Sequence, residues 1–153
     1  MRRRVYALEV TLTEGMVEEE FCEENPIVSR TIEIPGHQTL EQLHRAIFRA
    51  FDREEEHLYE FQLSDSAEFP EKRYVPAEIR DEEEDDCGIT EDATIQELKL
   101  EKGDVMLYLF DYDDIWAHQI TVREVLELDD TVRYPRITKK IGQSPLSTLS
   151  VEK

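Results

Sequence analysis

Basic residues, cysteines and long apolar runs are scarce in this sequence, and each scarcity excludes a class of protein. Its 18 lysines and arginines stand against 37 aspartates and glutamates, which gives a formal net charge of −19 over 153 residues. Such a surface repels phosphate backbones, so we do not expect binding of nucleic acid through a broad basic face. Cys22 and Cys87 lie too far apart for a local motif and indicate neither a disulfide framework nor a zinc knuckle. We expect both thiols to be reduced.

The absence of a long apolar run argues against contact with a membrane. The segment that follows Arg2–Arg4 contains Glu9 and has no small-residue cleavage site, so it is not a secretory signal. We therefore expect a cytoplasmic protein. The length is that of one domain with its own core. We predict a single domain over residues 1–142, with an acidic excursion at about 64–88 and a flexible tail over 143–153.

The clearest structural pattern runs from Val105 to Val125, where two apolar segments meet at a group of aspartates. The first segment is apolar on both alternating faces, which is typical of a strand covered on two sides. One face of the second segment carries Trp116, His118, Ile120 and Val122. Between them Asp111-Tyr112-Asp113-Asp114 predicts a turn, because aspartate accepts left-handed backbone angles and bonds to its own backbone. The pattern predicts a β-hairpin with Trp116 as a core anchor.

The segments before the hairpin predict two strands, a helix and a third strand. Alternation over Tyr6–Leu12 and Val28–Ile34 indicates two strands that pair as a hairpin across the acidic loop Thr13–Pro26. Thr39 and Gln42 form a capping-box pattern ahead of the main helix. The apolar stripe of this helix is Leu40, Leu43, Ile47 and Phe51. Residues 52–56 are expected to form a solvated turn before a third strand at Leu58–Leu63.

Two further elements complete the predicted fold. Asp92 or Thr94 caps a short helix that ends at Leu98, and Tyr134–Ile141 is expected to be an edge strand. Together the elements predict a single α+β domain. We expect a curved mixed sheet of about five to six strands with one main helix and one short helix packed on it, an α/β roll similar to the β-grasp fold.

The spacing of these residues resembles that of a known family. Residues 43–51 follow the pattern LHxxIxxAF, residues 57–61 read HLYEF, and residues 108–118 combine YLFDYDD with a spaced tryptophan and histidine. The chain is thereby similar to the plasmid pRiA4b ORF-3-like family, which includes TnpR-type passenger proteins of insertion elements. The resemblance implies an α+β domain and no established activity, since members are mostly uncharacterised. Family members often carry two arginines after a proline, whereas the segment from Pro26 keeps only Arg30.

Three histidines and the turn carboxylates are the residues best suited to a metal. His44, His57, His118 and Asp114 offer imidazole and carboxylate ligands of the kind that zinc, manganese or iron prefer. No two of them lie at local ligand spacing, so such a site depends on the fold bringing them together. The alternative is that each histidine is a satisfied core or turn residue, with His118 bonded to Asp114 as one arrangement.

Sequence motifs of catalysis are absent. The chain contains no phosphate-binding loop, dinucleotide fingerprint or nucleophile elbow. Asp111, Asp113 and Asp114 would serve as an acid–base pair only in environments that separate their pKa values, and aspartates in a hairpin turn more often cap the backbone.

The leading hypothesis is therefore a non-enzymatic domain without a cofactor that binds a partner protein through a sheet face or edge. Its candidate binding residues are Asp111, Tyr112, Asp114 and Trp116. One alternative is a metal-dependent enzyme with the four ligands named above and a divalent transition metal. Another is an accessory protein of DNA mobility, which would touch DNA only through Arg2–Arg4 and the segment Arg133–Lys140.

Overall fold

The computed structural model describes residues 3–63, 72–79 and 87–145, in which the chain forms one open mixed sheet and two α-helices. The strands are β1 (Arg4–Glu14), β2 (Ser29–Pro35), β3 (Tyr59–Gln62), β4 (Arg73–Val75), β5 (Gly88–Ile89), β6 (Val105–Phe110), β7 (Trp116–Glu127) and β8 (Arg136–Ile141). The helices are α1 (Glu19–Glu24) and α2 (Leu40–Ala50), with 3-10 turns at Ala77–Ile79 and Gln96–Leu98.

The eight strands lie in the order β5-β4-β3-β6-β7-β1-β2-β8. Only β4 and β5 run parallel, while the other neighbours are antiparallel. The predicted single α+β domain with a mixed sheet is confirmed, but five to six strands was too few. The Arg136–Ile141 strand takes the predicted edge position, since β8 is the last strand beside β2.

The predicted hairpin forms the middle of the sheet. Phe110 pairs with Trp116, and the ladder of β6 and β7 continues to the pair Val105 and Thr121. Strand β7 then extends to Glu127 along β1, so the hairpin is joined to the first strand by a long antiparallel ladder. One face of β6 is fully buried and the other only half-buried. The expectation of a strand covered on both sides is therefore only half met.

Helix α2 covers the buried face of the sheet. Thr39 accepts a hydrogen bond from the backbone N–H of Gln42, whose side chain accepts one from the Thr39 N–H, so the predicted capping box is present. The predicted stripe is buried, with Phe51 at the C-cap immediately after the last helical residue. Because the stripe repeats at helical spacing, the helix turns all of these side chains toward the sheet.

Three segments differ from the sequence prediction. Helix α1 lies in the supposed loop Thr13–Pro26, and Phe21 from it packs on the core. The helix expected to end at Leu98 is only a three-residue 3-10 turn. The acidic excursion contains β4 and β5, which extend the sheet from β3. Short strands of two and three residues carry too little periodicity to be recognised in the sequence.

The predicted acidic excursion and the predicted flexible tail lie partly outside the described residues. The acidic run 81–86 is outside them, as are residues 146–153 of the predicted tail. The first residues of that tail pack against the domain. The Gln143 N–H donates to Asn25 Oδ1 at 2.8 Å, and Ser144 Oγ donates to Asp52 Oδ2 at 2.7 Å.

Candidate functional site

A cleft of about 770 Å³ opens beside α2 at the end of the sheet where β3 begins. One wall is the exposed side of α2, and the other is formed by residues 56–59 together with the segments around Pro76 and Glu91. Its charged lining consists of Glu41, Glu56, Glu78, Glu91, Arg45 and Arg49.

 Of these, Arg45 lies beside Glu41, with Arg45 Nη2 at 2.6 Å from Glu41 Oε2. Phe48, His57, Leu58 and Tyr59 supply aromatic and apolar surface. The cleft is thus a concave surface of mixed polarity between α2 and connecting segments of the fold.

His44 forms the floor of the cleft and is held on both ring nitrogens. Its ring stacks on that of Tyr59, with centroids 3.6 Å apart and planes 3° from parallel. Its Nδ1 lies 2.6 Å from Tyr108 Oη, and its Nε2 lies 2.6 Å from Glu56 Oε1. Burial lowers the pKa of His44, although the Glu56 carboxylate opposes that effect. We therefore assign the neutral ring, which donates from Nε2 to Glu56 and accepts at Nδ1 from the Tyr108 hydroxyl.

His118 lies deeper, on the other side of Tyr108, and has the opposite tautomer. Its Nδ1 donates to the Tyr108 carbonyl at 3.1 Å, and its Nε2 accepts from Arg53 Nη2 at 2.7 Å. Burial and the neighbouring guanidinium lower the pKa of His118 well below its usual range. A bond from His118 to Asp114, one arrangement that the sequence allowed, is replaced by these two partners.

Arg53 is a buried cation in an aromatic cage. Its guanidinium carbon lies 4.9 Å from the ring centroids of Phe51 and Phe110 and 5.7 Å from that of Trp116. Burial lowers the pKa of Arg53 to about 10, so it stays charged at neutral pH. The prediction of a solvated turn over 52–56 is wrong at this residue. Asp52 adopts a φ of 55°, which directs the chain back so that Arg53 enters the core.

The four proposed metal ligands do not form a common site. The described part of the chain holds no group of three or more His, Cys, Asp or Glu side chains that could bind a metal ion. The only acceptor nitrogen of His44 is occupied by Tyr108, and that of His118 by a guanidinium. His57 instead lies 3.7 Å from Asp111 Oδ2. A cation beside His118 would also meet the charge of Arg53.

The aspartate turn is built around Asp111. This residue has a φ of 73°, and its Oδ1 accepts from the backbone N–H groups of Asp113 and Asp114 at 3.0 and 3.4 Å. The Asp111 carboxylate thus closes an Asx-type turn, as aspartates at such positions commonly do. Asp113 and Asp114 are exposed.

The two aromatic residues proposed for binding lie in different surroundings. Trp116 is buried, and a Cβ at Gly15 would lie 2.3 Å from its Cε3 atom, so only glycine fits against the ring. Tyr112 is 39% exposed, and its hydroxyl donates to Glu60 Oε1 at 2.8 Å. Of the two, only Tyr112 presents surface to a partner.

Sequence alternation missed a second buried charge at Glu60. Arg73 binds it with two bonds, from Nη2 at 2.9 Å and from Nε at 3.1 Å. Burial alone would raise the pKa of Glu60, but hydrogen bonds from Arg73, Gln62 and Tyr112 outweigh burial and lower it. Because Arg73 belongs to the unpredicted strand β4, no pattern in the sequence could reveal this pair.

Arg30, the arginine retained after Pro26, joins the end of α2 to the last strand. Its guanidinium donates to the Ala50 carbonyl at 2.9 Å, to the Ile141 carbonyl at 3.0 Å and to Ser144 Oγ at 2.8 Å. It also lies 5.0 Å from the Phe51 ring centroid. The retained arginine is therefore a structural residue of the core.

The two basic clusters considered for DNA contact are partly neutralised by acidic neighbours. Arg3 Nη2 lies 3.0 Å from Asp130 Oδ1, and Arg136 Nε lies 2.8 Å from Glu33 Oε1. Arg2 is outside the described residues. Among the described residues, no helix is long and apolar enough to span a membrane.

Fold and site together define an α+β domain with an open mixed sheet and a polar cleft beside its main helix. The chain belongs to the plasmid pRiA4b ORF-3-like family, whose model matches residues 5–149. The crystal structure of a protein of unknown function from Methanosarcina mazei Go1, MM3350, is similar, with a TM-score of 0.71 and 22% identity. The match covers 92% of this chain and 71% of that one, and at this identity it shows the fold alone. No curated protein matches the chain.

Proposed function

We propose that this protein is a non-enzymatic cytoplasmic domain that binds a segment of a partner protein in the cleft beside α2. The observation that carries the proposal is the state of His44, which lies at the floor of the cleft with both ring nitrogens engaged. A histidine used as a general base needs one nitrogen available to the substrate. The cleft therefore offers shape, charge and a rigid aromatic floor rather than a reactive group.

The second support is the construction of the surrounding surface. The carbonyl of Leu58, which lines the cleft, accepts a hydrogen bond from the Asp111 N–H at 2.8 Å, so the aspartate turn is held next to the cleft at this point. Tyr112 and the exposed carboxylates of Asp113 and Asp114 lie on that turn. Of the candidate residues, Asp111 lies nearest the cleft, since its Oδ2 is 3.7 Å from Nε2 of His57 in the cleft lining. Tyr112 instead bonds to Glu60, which alternates with Tyr59 and so lies on the other face of the sheet, and Trp116 is buried.

Site-specific photo-crosslinking in the native host would test the proposal. A photoreactive amino acid is placed at Glu78 or Arg45 on the rim of the cleft, and at Glu124 near the far end of β7 as a control. We expect one crosslinked protein from both rim positions and not from the control position. Identical products at all three positions, or none, would overturn the cleft as the binding site.

A screen for catalytic activity tests the proposal that the domain is not an enzyme. We expect the purified protein to show no turnover of carboxylic ester, phosphate ester or nucleic acid substrates. Turnover that disappears in Glu56→Gln, which keeps an oxygen to accept from His44 but removes the charge, would show that the cleft is an active site.

A further inference from the structure

The charge of the cleft indicates which kind of segment fits it. Its lining carries four glutamates and two arginines. One of these arginines, Arg45, is already paired with Glu41 on the helix wall. The carboxylates of Glu56, Glu78 and Glu91 are exposed on the opposite wall, within a molecule of net charge −19. The resulting negative potential favours a cationic side chain and speeds its arrival.

The rim of the cleft adds an apolar contact. Leu58, which lines the cleft, is 37% exposed. Phe48 on the helix wall is half-buried and lines the cleft as well. An aromatic face attracts a cation, and an exposed leucine side chain gains from burial against a partner.

We propose that the occupant of the cleft is a basic amphipathic segment of a partner protein. A lysine or arginine side chain enters between Glu56, Glu78 and Glu91, and an apolar side chain of the same segment covers Leu58. A segment that carries both basic and apolar side chains can use the carboxylates and the apolar surface of the cleft together. This inference rests on the proposed function and names the chemistry of its partner.

Fluorescence anisotropy with a labelled lysine–leucine amphipathic peptide tests the inference, at about 0.15 M salt, where distant charges are screened. The double variant E56Q/E78Q neutralises two cleft carboxylates, and E101Q/E124Q neutralises two exposed carboxylates elsewhere. We expect the first pair to weaken binding by about tenfold, as loss of two exposed ion pairs implies, and the second to leave it unchanged. Leu58→Ser should also weaken binding.

Three results would overturn the inference. The first is an equal loss of affinity in both double variants, which would indicate general attraction to an acidic protein. The second is tighter binding of a glutamate–leucine peptide of the same spacing. The third is no binding of the lysine–leucine peptide. If rim crosslinking still succeeds in that last case, the cleft is a binding site for a different kind of segment. The proposed function and the nature of its partner therefore fail separately.

Discussion

At the scale of single residues, the core contains two neutral histidines whose protons are placed by their partners. His44 donates from Nε2 toward the surface, whereas His118 donates from Nδ1 to the backbone. Tyr108 lies between them, since its hydroxyl bonds to one ring and its carbonyl to the other. Such a network holds the strands and α2 in one arrangement, because the bonds of Tyr108 to the two histidines form only there.

The buried histidines make stability depend on pH. Because the folded protein lowers the pKa of His44 and His118, the unfolded chain binds more protons below its ordinary histidine pKa of about 6.5. The free energy of unfolding therefore falls as pH drops below about 6.5, by up to about 1.4 kcal/mol per pH unit for each histidine. Above that pH both states are neutral at these residues and the dependence disappears.

His118→Gln should make this dependence shallower by up to about 1.4 kcal/mol per pH unit between about pH 6.5 and 5. Urea denaturation across that range provides the measurement, and the exposed His37→Gln is the matched control. Parallel curves for H118Q and the unmodified protein would contradict the assignment of a neutral His118.

Tyr108→Phe removes the hydroxyl that donates to His44. We expect a loss of about 1–3 kcal/mol in the free energy of unfolding, because a buried acceptor nitrogen is left without its partner. Urea denaturation at neutral pH measures the loss. In the double variant Y108F/H44L the unmatched nitrogen is gone, so the two changes should not be additive. Simple additivity would show that the bond contributes nothing.

At the scale of secondary structure, the start of α2 is set by its capping box. Thr39→Ala removes the side-chain acceptor for the Gln42 N–H and should lower the free energy of unfolding by about 1 kcal/mol. The exposed Thr138→Ala in β8 is the control in chemical denaturation, since it lies far along the chain from α2. An equal loss in both variants would mean that the box does not stabilise the helix.

Element boundaries were predictable where a local signal exists. The capping box marks the start of α2, and the aspartates mark the turn between β6 and β7, because in both cases a side chain bonds to nearby backbone. Strands β4 and β5 have no such signal. They exist because the edge of β3 provides partners for them, and that edge is known only once the sheet has formed.

At the scale of the whole molecule, a net charge of −19 opposes compaction through repulsion among the carboxylates. Raising the salt concentration from about 0.01 to 0.5 M shortens the range of that repulsion from about 30 Å to well below 10 Å. We therefore expect added sodium chloride to raise the melting temperature, by about 2–4 °C for each 1 kcal/mol gained. Thermal unfolding followed by circular dichroism measures this. A melting temperature that falls with salt would show that the ion pairs dominate.

By itself, the sequence determined the α+β class, the central hairpin, the capped helix and the acidic character of the surface. These features follow from apolar periodicity and local hydrogen bonding, which involve residues close together in the chain, and from composition, which is a property of the whole chain. Only the tertiary structure decided the cleft, the opposite tautomers of His44 and His118, and the burial of Arg53 in its aromatic cage. The reason is distance along the chain: His44 is 64 residues from Tyr108 and Arg53 is 65 from His118, and such contacts form only when the sheet and α2 pack.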